Sequence, residues 1–282
     1  MNDGLERHER LLTQLLHAYF GELEPTALDL LRTHLRWVEI AGGTTLMQQG
    51  EPGDSMYLVV SGRLRAYVAQ DDGRQRMVRE MGRGQVVGEM SLYTDEPRSA
   101  SVVAIRDSVL VRLDKEHFIR LLDSSAQVSV ALTRQIIQRL KTEHQPARFA
   151  APVTIGLSPI TDGIALRPFA ERLAAHLARA GRVCVVDHAA VDAAMGDRAG
   201  DDANRRIALY LDEVETAHDF VLLLSDDGPS EWTRRCSRHC DELLLLADAS
   251  KPPTIHPIES EGLERRPPQS EAAEILVLLH DE

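Results

Sequence analysis

Two side chains nine residues apart carry the strongest chemical signal in this chain. Glu89 stands in the run Gly88-Glu89-Met90-Ser91-Leu92, and Arg98 opens Arg98-Ser99-Ala100-Ser101. A carboxylate accepts hydrogen bonds from hydroxyl groups, whereas a guanidinium offers a planar, permanently charged fork of donors to phosphate oxygens. Gly88 permits a tight turn and a close backbone approach. Residues 89–92 are expected to form one helical turn, opened by Met90 and Ser91, whose leading N–H groups face an anion. Ser99 and Ser101 each add a hydroxyl. The set suits a ligand that presents a sugar hydroxyl to Glu89 and a singly charged phosphate to Arg98.

The elements that must hold these groups are legible in the spacing of apolar residues. Leu11, Leu12, Leu15, Leu16 and Phe20, then Leu28, Leu30, Leu31 and Leu35, repeat at spacings of three and four and predict helices. From Val38 the texture changes to short apolar runs separated by turns. These are Thr44–Met47, Met56–Val60, Arg63–Val68 and Arg76–Val78, with Asp71-Asp72-Gly73 as a hairpin signal. Ser101–Ile105 and Val109–Leu113 add two strands, and 114–122 a short helix. Many short strands at close spacing predict an antiparallel sandwich or roll. A longer helix is expected over 127–144, with Val128, Ala131, Leu132, Gln135, Ile136 and Leu140 as its apolar stripe. That stripe serves either packing on its own domain or pairing with a second copy as a homodimer.

Pro146 and Pro152 interrupt the pattern, which sets the expected boundaries at 1–145, a linker at 146–152, and 153–282. The second part alternates strand and helix: Val153–Ser158, Leu166–Ala180 closed by Gly181, Arg182–Val186, 202–217, Phe220–Leu224, Glu231–Cys240, Glu242–Leu246 and Glu274–Leu279. Such alternation predicts an α/β domain with a mainly parallel sheet.

Charge and composition exclude several roles. The net charge is -12, of which residues 151–282 carry -11. Nucleic-acid affinity depends on neutralising phosphates with Lys and Arg, so this acidic part does not read as a DNA or RNA binder. No apolar run reaches the ~20 residues of a membrane span and the amino terminus lacks a signal-peptide pattern, so a cytoplasmic location is expected. Cys184, Cys236 and Cys240 fit reduced thiols rather than a disulfide framework. Cys236, His239 and Cys240 fall on one expected helix face, but a fourth ligand is not evident. They read as buried thiols beside an exposed His, with no metal. The first α/β turn, Gly156 to Gly163, matches neither G-x-G-x-x-G nor G-x-x-x-x-G-K. Ile160 occupies the closing position of a G-x-S-x-G elbow begun by Gly156 and Ser158, so no nucleophile is nominated.

The motifs also carry a family resemblance. Gly88-Glu89, Pro97-Arg98-Ser99-Ala100-Ser101, the upstream turn Gly50-Glu51-Pro52-Gly53-Asp54 and the strand Met56 to Gly62 resemble the cyclic nucleotide-binding domain. That fold is shared by the bacterial catabolite activator and the regulatory subunits of cyclic-AMP-dependent kinase. The departures are Val87, where Phe is common, and Ser91, where Ala or Gly is common. The resemblance implies an antiparallel β-roll with flanking helices and a cyclic nucleotide, cAMP or cGMP, as ligand, with no further cofactor. It also implies that the base faces Thr142, Glu143 and His144 and that the long helix closes over it.

Ser158 to Asp162, Trp232 to Arg238, Asp241 to Leu246 and Ile275 to His280 resemble the α/β segment that precedes the patatin domain in neuropathy-target-esterase-like phospholipases. The implied role is a regulatory region that senses a cyclic nucleotide for a patatin-like catalytic domain or lipase. In that class a glycine-rich oxyanion turn, a G-x-S-x-G serine and a later Asp-Gly follow this segment; the 282 residues stop at Glu282, before the place of all three, so no catalysis is expected of the chain itself. The alternatives are a non-sensing scaffold for a separate lipase and a catabolite-activator-like transcriptional regulator.

Overall fold

The computed structural model describes residues 2–21, 24–70, 74–124, 128–130, 133, 153–195, 203–260 and 273–280. The chain divides into two compact units. The first comprises Met1–Ile40, Thr45–Ala104 and Ser108–Arg148; the second comprises Ala41–Thr44, Ile105–Asp107 and Phe149–Glu282.

The first unit begins with α1 (Asn2–Phe20) and α2 (Pro25–His34), the latter carrying Pro25 in its first turn, where a missing N–H costs nothing. Eight strands follow: β1 (Arg36–Ile40), β2 (Thr45–Met47), β3 (Ser55–Ser61), β4 (Leu64–Ala69), β5 (Gln75–Met81), β6 (Val86–Val87), β7 (Ser101–Ala104) and β8 (Ser108–Asp114). Between β6 and β7 lies α3 (Met90–Thr94), and after β8 comes α4 (Lys115–Ser124). The strands form two four-stranded antiparallel sheets, β1-β8-β3-β6 and β2-β7-β4-β5. Met47, Val59, Leu64, Met81, Val102 and Leu110 close the core between them. On the first sheet, Leu16, Phe20 and Leu31 from the two amino-terminal helices meet Met56, Leu58 and Leu113.

The second unit is the α/β part. Its strands are β9 (Val153–Pro159), β10 (Val183–Val186), β11 (Phe220–Leu224), β12 (Glu242–Asp248) and β13 (Ala273–Leu279). Its helices are α5 (Leu166–Leu177), α6 (His188–Met195), α7 (Ala203–Ala217) and α8 (Glu231–His239). All four pairings are parallel, in the order β10-β11-β9-β12-β13. The expected parallel sheet is therefore present, which separates this unit from a winged helix-turn-helix.

Local departures from expectation have local causes. α5 ends at Leu177 rather than near Ala180, because the amides of Ala178, Ala180 and Gly181 bond back to Ala174 and Leu177 carbonyls in a closing turn. α6 was not anticipated; its eight residues are nearly all small, and Val191 alone is buried. Of the helix expected over 127–144, residues 128–130 and 133 are helical, and the rest, with Thr142, Glu143 and His144, lies outside the described residues. Among the described helices, none is long and apolar enough to cross a membrane.

Candidate functional site

Three chain segments meet at Arg98. Its guanidinium Nη1 donates to the Gly88 carbonyl at 2.8 Å and Nη2 donates to Ser55 Oγ at 3.2 Å. Its backbone is held as well: the Arg98 N–H donates to Glu51 O at 2.8 Å and the Gly50 N–H to Arg98 O at 2.9 Å. The turn before β3 thus clamps the main chain of Arg98 while the side chain crosses to the turn after β6.

Two glycines make this approach possible. Gly88 has φ +84°, and a Cβ there would lie 2.7 Å from Arg98 Nη1 and 3.1 Å from Ser55 O. A side chain at Gly53 would place its Cβ 2.0 Å from that of Ser91, so the glycine lets the turn before β3 settle onto α3.

The electrostatics of Arg98 are unusual for a buried cation. It is 5% exposed, yet the two acceptors above are neutral. Asp54 stands 3.6 Å from Nη2, but its side chain is 72% exposed and it also pairs with Arg112 at 3.3 Å. Burial is the main influence on Arg98 and lowers its pKa, against smaller opposing contributions from Tyr57 and Asp54. Asp54 is itself held below the usual carboxylate range, first by the Ser55 hydroxyl and then by Arg112 and Arg98. Arg98 keeps its charge regardless, so the site holds a desolvated cation that its neighbours neutralise incompletely.

The other expected residues take distinct places. Glu89 is 5% exposed and caps α3, its carbonyl accepting from the amides of Leu92 and Tyr93. Met90, half-buried, opens α3 and accepts at its carbonyl from Thr94 Oγ1 at 3.2 Å. Ser91 is buried against the Gly53 turn, which makes it a packing residue. Ser99 is exposed. Ser101 Oγ accepts from the Gln49 N–H at 3.0 Å and so shapes the turn before β3. α3 rests on α4 through Tyr93, whose ring meets Phe118 edge-on at 5.1 Å.

Sequence reasoning did not single out Asp54 and Ser55 as partners of Arg98. A signal existed: a carboxylate and a hydroxyl stand at the mouth of β3, whose seven residues are all buried.

The Cys236, His239 and Cys240 grouping comes apart. Cys236 packs with Trp232, Val191 and Leu223, and burial pushes its thiol pKa up. Cys240 packs with Ile160, Leu243 and Leu245. His239, expected to be exposed, is 1% exposed, and its Nε2 lies 3.0 Å from Glu215 Oε1. His239 is still within α8 and turns inward to this buried carboxylate, whereas Cys240, just past the helix end, is extended at φ -78° and ψ 154°, so helical spacing no longer holds for it. Among the described residues, no group of three or more His, Cys, Asp or Glu is placed to hold a metal. Ser158 lies inside β9, 1% exposed and in register with Leu245.

The Glu215 carboxylate is the hub of a buried network within the second unit. It accepts from Arg106 Nη1 and Nη2 at 2.9 and 2.8 Å and from Thr154 Oγ1 at 2.7 Å, besides facing His239. Burial opposes its charge, but Arg106, His239 and Thr154 together hold its pKa far below the usual range. Asp107 behaves alike: burial is outweighed by Arg238, the Gly42 amide and Arg235.

Comparison with known proteins places both parts. Residues 37–125 match the family described as cyclic nucleotide-binding domain, and residues 152–282 match the Neuropathy Target Esterase family P-loop like domain. The chain is 30% identical over 271 residues to lysophospholipase nte1 of Aspergillus oryzae, which covers 88% of this chain and 17% of that protein. It is 28% identical over 269 residues to patatin-like phospholipase domain-containing protein 7 of Rattus norvegicus, covering 88% of this chain and 20% of that one. The chain thus spans a fifth or less of these relatives' length. Among solved structures, the catabolite activator protein of Thermus thermophilus is 31% identical, with a TM-score of 0.41 over 45% of this chain and 58% of that chain.

Proposed function

For a chain that joins a cyclic nucleotide-binding domain to a Neuropathy Target Esterase family P-loop like domain, we propose the role of a cyclic-nucleotide-sensing regulatory region in a patatin-like lysophospholipase, with residues 146–152 as the linker between the two parts. The observation that carries this reading is the state of Arg98, a buried guanidinium with two neutral acceptors and one solvent-exposed carboxylate. An anion of single charge completes that environment, because a charge-assisted bond to a desolvated fork is among the stronger polar contacts a protein makes.

In this mechanism the cyclic phosphate takes the Arg98 guanidinium, and Glu89 accepts from the ribose 2'-hydroxyl. α3 is only five residues long, and its Leu92 and Tyr93 amides already bond to Glu89 O, so Arg98 carries most of the anion recognition. Met90, Ser91 and Ser101 hold the turn in shape, and Ser99 contributes an exposed hydroxyl at its rim. Either cAMP or cGMP satisfies these groups, since they meet the sugar and phosphate rather than the base. The ligand then regulates the enzyme by binding one arrangement of the region better than another. Hydrolysis belongs to the patatin part of the longer relatives in this scheme, and this region works in the cytoplasm without a catalytic residue of its own.

Isothermal titration of the 282-residue chain with cAMP and with cGMP tests the reading. Saturable heat with at least one nucleotide, with affinity about a hundredfold weaker in Arg98→Ala, is the expected outcome. Absence of heat with both at millimolar ligand overturns it in favour of a non-sensing scaffold.

A further inference from the structure

The two edges of the parallel sheet are finished differently. β10 is four residues long, and its side chains are buried or half-buried. β13 is seven residues long and, among the described residues, pairs with β12 on one side. It exposes Ile275 at 41%, Leu276 at 58% and Leu278 at 54%. Natural edge strands are normally guarded by Pro, Lys, a bulge or shortness, and Ala273 to Leu279 contains no Pro or Lys and keeps regular register with β12 throughout.

The sequence of this edge is self-complementary. If two copies meet antiparallel about a two-fold axis at Val277, Glu274 of one falls opposite His280 of the other, Ile275 opposite Leu279, and Leu276 opposite Leu278. Residues 274, 276, 278 and 280 alternate onto one face of the strand, and all four are exposed. This register therefore sets an acidic group against a basic one at each end and two apolar pairs between them. Shifting the axis by one residue places Glu274 opposite Leu278 or opposite Glu282 and loses that match. Cross-strand pairs of these kinds are the unit of sheet stabilisation.

We propose that the exposed edge of β13 is a homodimer surface, on which a second copy of this chain adds its own β13 antiparallel to form a continuous ten-stranded sheet. The inference is independent of nucleotide binding. A single seven-residue edge is short for a standard interface, so the dimer is weak and concentration-dependent.

Sedimentation velocity of the whole chain over a concentration series reads this directly. The expected result is a monomer–dimer equilibrium. Leu276→Lys with Leu278→Lys sets lysine opposite lysine twice per dimer and should raise the dimer Kd by about tenfold or more, with an unchanged melting temperature because both positions are exposed. Register is read by oxidation: Val277→Cys faces itself across the axis at a Cα separation of about 4.5–5.5 Å and should cross-link as a dimer, whereas Ile275→Cys and the wild-type chain should not. A chain that stays monomeric at every concentration overturns the proposal and leaves the edge to another partner. A dimer that the double lysine variant leaves intact also overturns it and moves the contact elsewhere, for instance to the helix expected over 127–144.

Discussion

Arg98 in the first unit and Arg106 in the second are equally buried, at 5% exposure each, but they are compensated in opposite ways. Arg106 meets the two oxygens of one buried carboxylate, Glu215, and adds the His239 carbonyl at 3.3 Å. Burial works against its charge, but Glu215 and the neighbouring acids outweigh it, and the pKa of Arg106 is raised. Arg98 meets a carbonyl, a hydroxyl and, at 3.6 Å, a solvent-exposed carboxylate, so burial prevails and its pKa is lowered. A buried charge with a complete partner set is a structural element, because removing either member leaves the other stranded. One with an incomplete set is poised to take a counter-ion from outside. The contrast matches the proposed roles of the two residues, Arg106 in building the second unit and Arg98 in binding an anion.

The largest expected effect breaks the structural side of this comparison. Glu215→Ala strands both Arg106 and His239 and should cost ~3–5 kcal/mol, read by urea unfolding followed through Trp232 fluorescence in a Trp37→Phe background. A loss under about 1 kcal/mol would mean that Arg106 is no better compensated than Arg98.

Next in size is the binding side. Arg98→Ala should lower nucleotide affinity by about a hundredfold while changing stability by no more than ~1 kcal/mol, measured by titration and melting on the same sample. A large stability loss with unchanged affinity would reverse the roles of the two arginines.

Acid titration sharpens the comparison further. Glu215 and Asp107 both have depressed folded pKa values, so their contribution is complete above about pH 4.5 and is lost as pH falls through those lower values. Stability owed to the second unit should therefore hold from neutral pH to about 5 and fall steeply in stronger acid, with a shallower fall in Glu215→Ala.

Two smaller effects probe the surroundings of Arg98. Gly88→Ala forces a Cβ into a positive-φ turn against Nη1 and should cost ~1–3 kcal/mol with a parallel loss of affinity. Asp54→Asn removes an exposed negative charge that competes with the incoming phosphate, and should raise affinity about two- to fivefold at low salt and less at high salt.

Much of this molecule is legible in its sequence because the signals are local. Phe220–Leu224 is a strand because five apolar residues are bounded by polar ones, and the backbone of the turn at Gly88, at φ +84°, calls for glycine. The order of short strands, the alternation of the second part, and Glu89 and Arg98 as a candidate pair follow from spacing and residue type alone. Composition alone also puts the acidic charge in residues 151–282.

Tertiary structure decided what those side chains meet. Nothing near Arg98 in the chain names Ser55, 43 residues away, as its acceptor, and nothing near Arg106 names Glu215, 109 residues away, as its partner. Sequence spacing put His239 with two cysteines on one helix face; the end of the helix took Cys240 off that face, and the buried Glu215 carboxylate gave His239 a different neighbour. The physical reason is the same in each case. Secondary structure follows from interactions a few residues long, whereas the state of a buried charge depends on every group that replaces its water, and those groups are assembled by the fold.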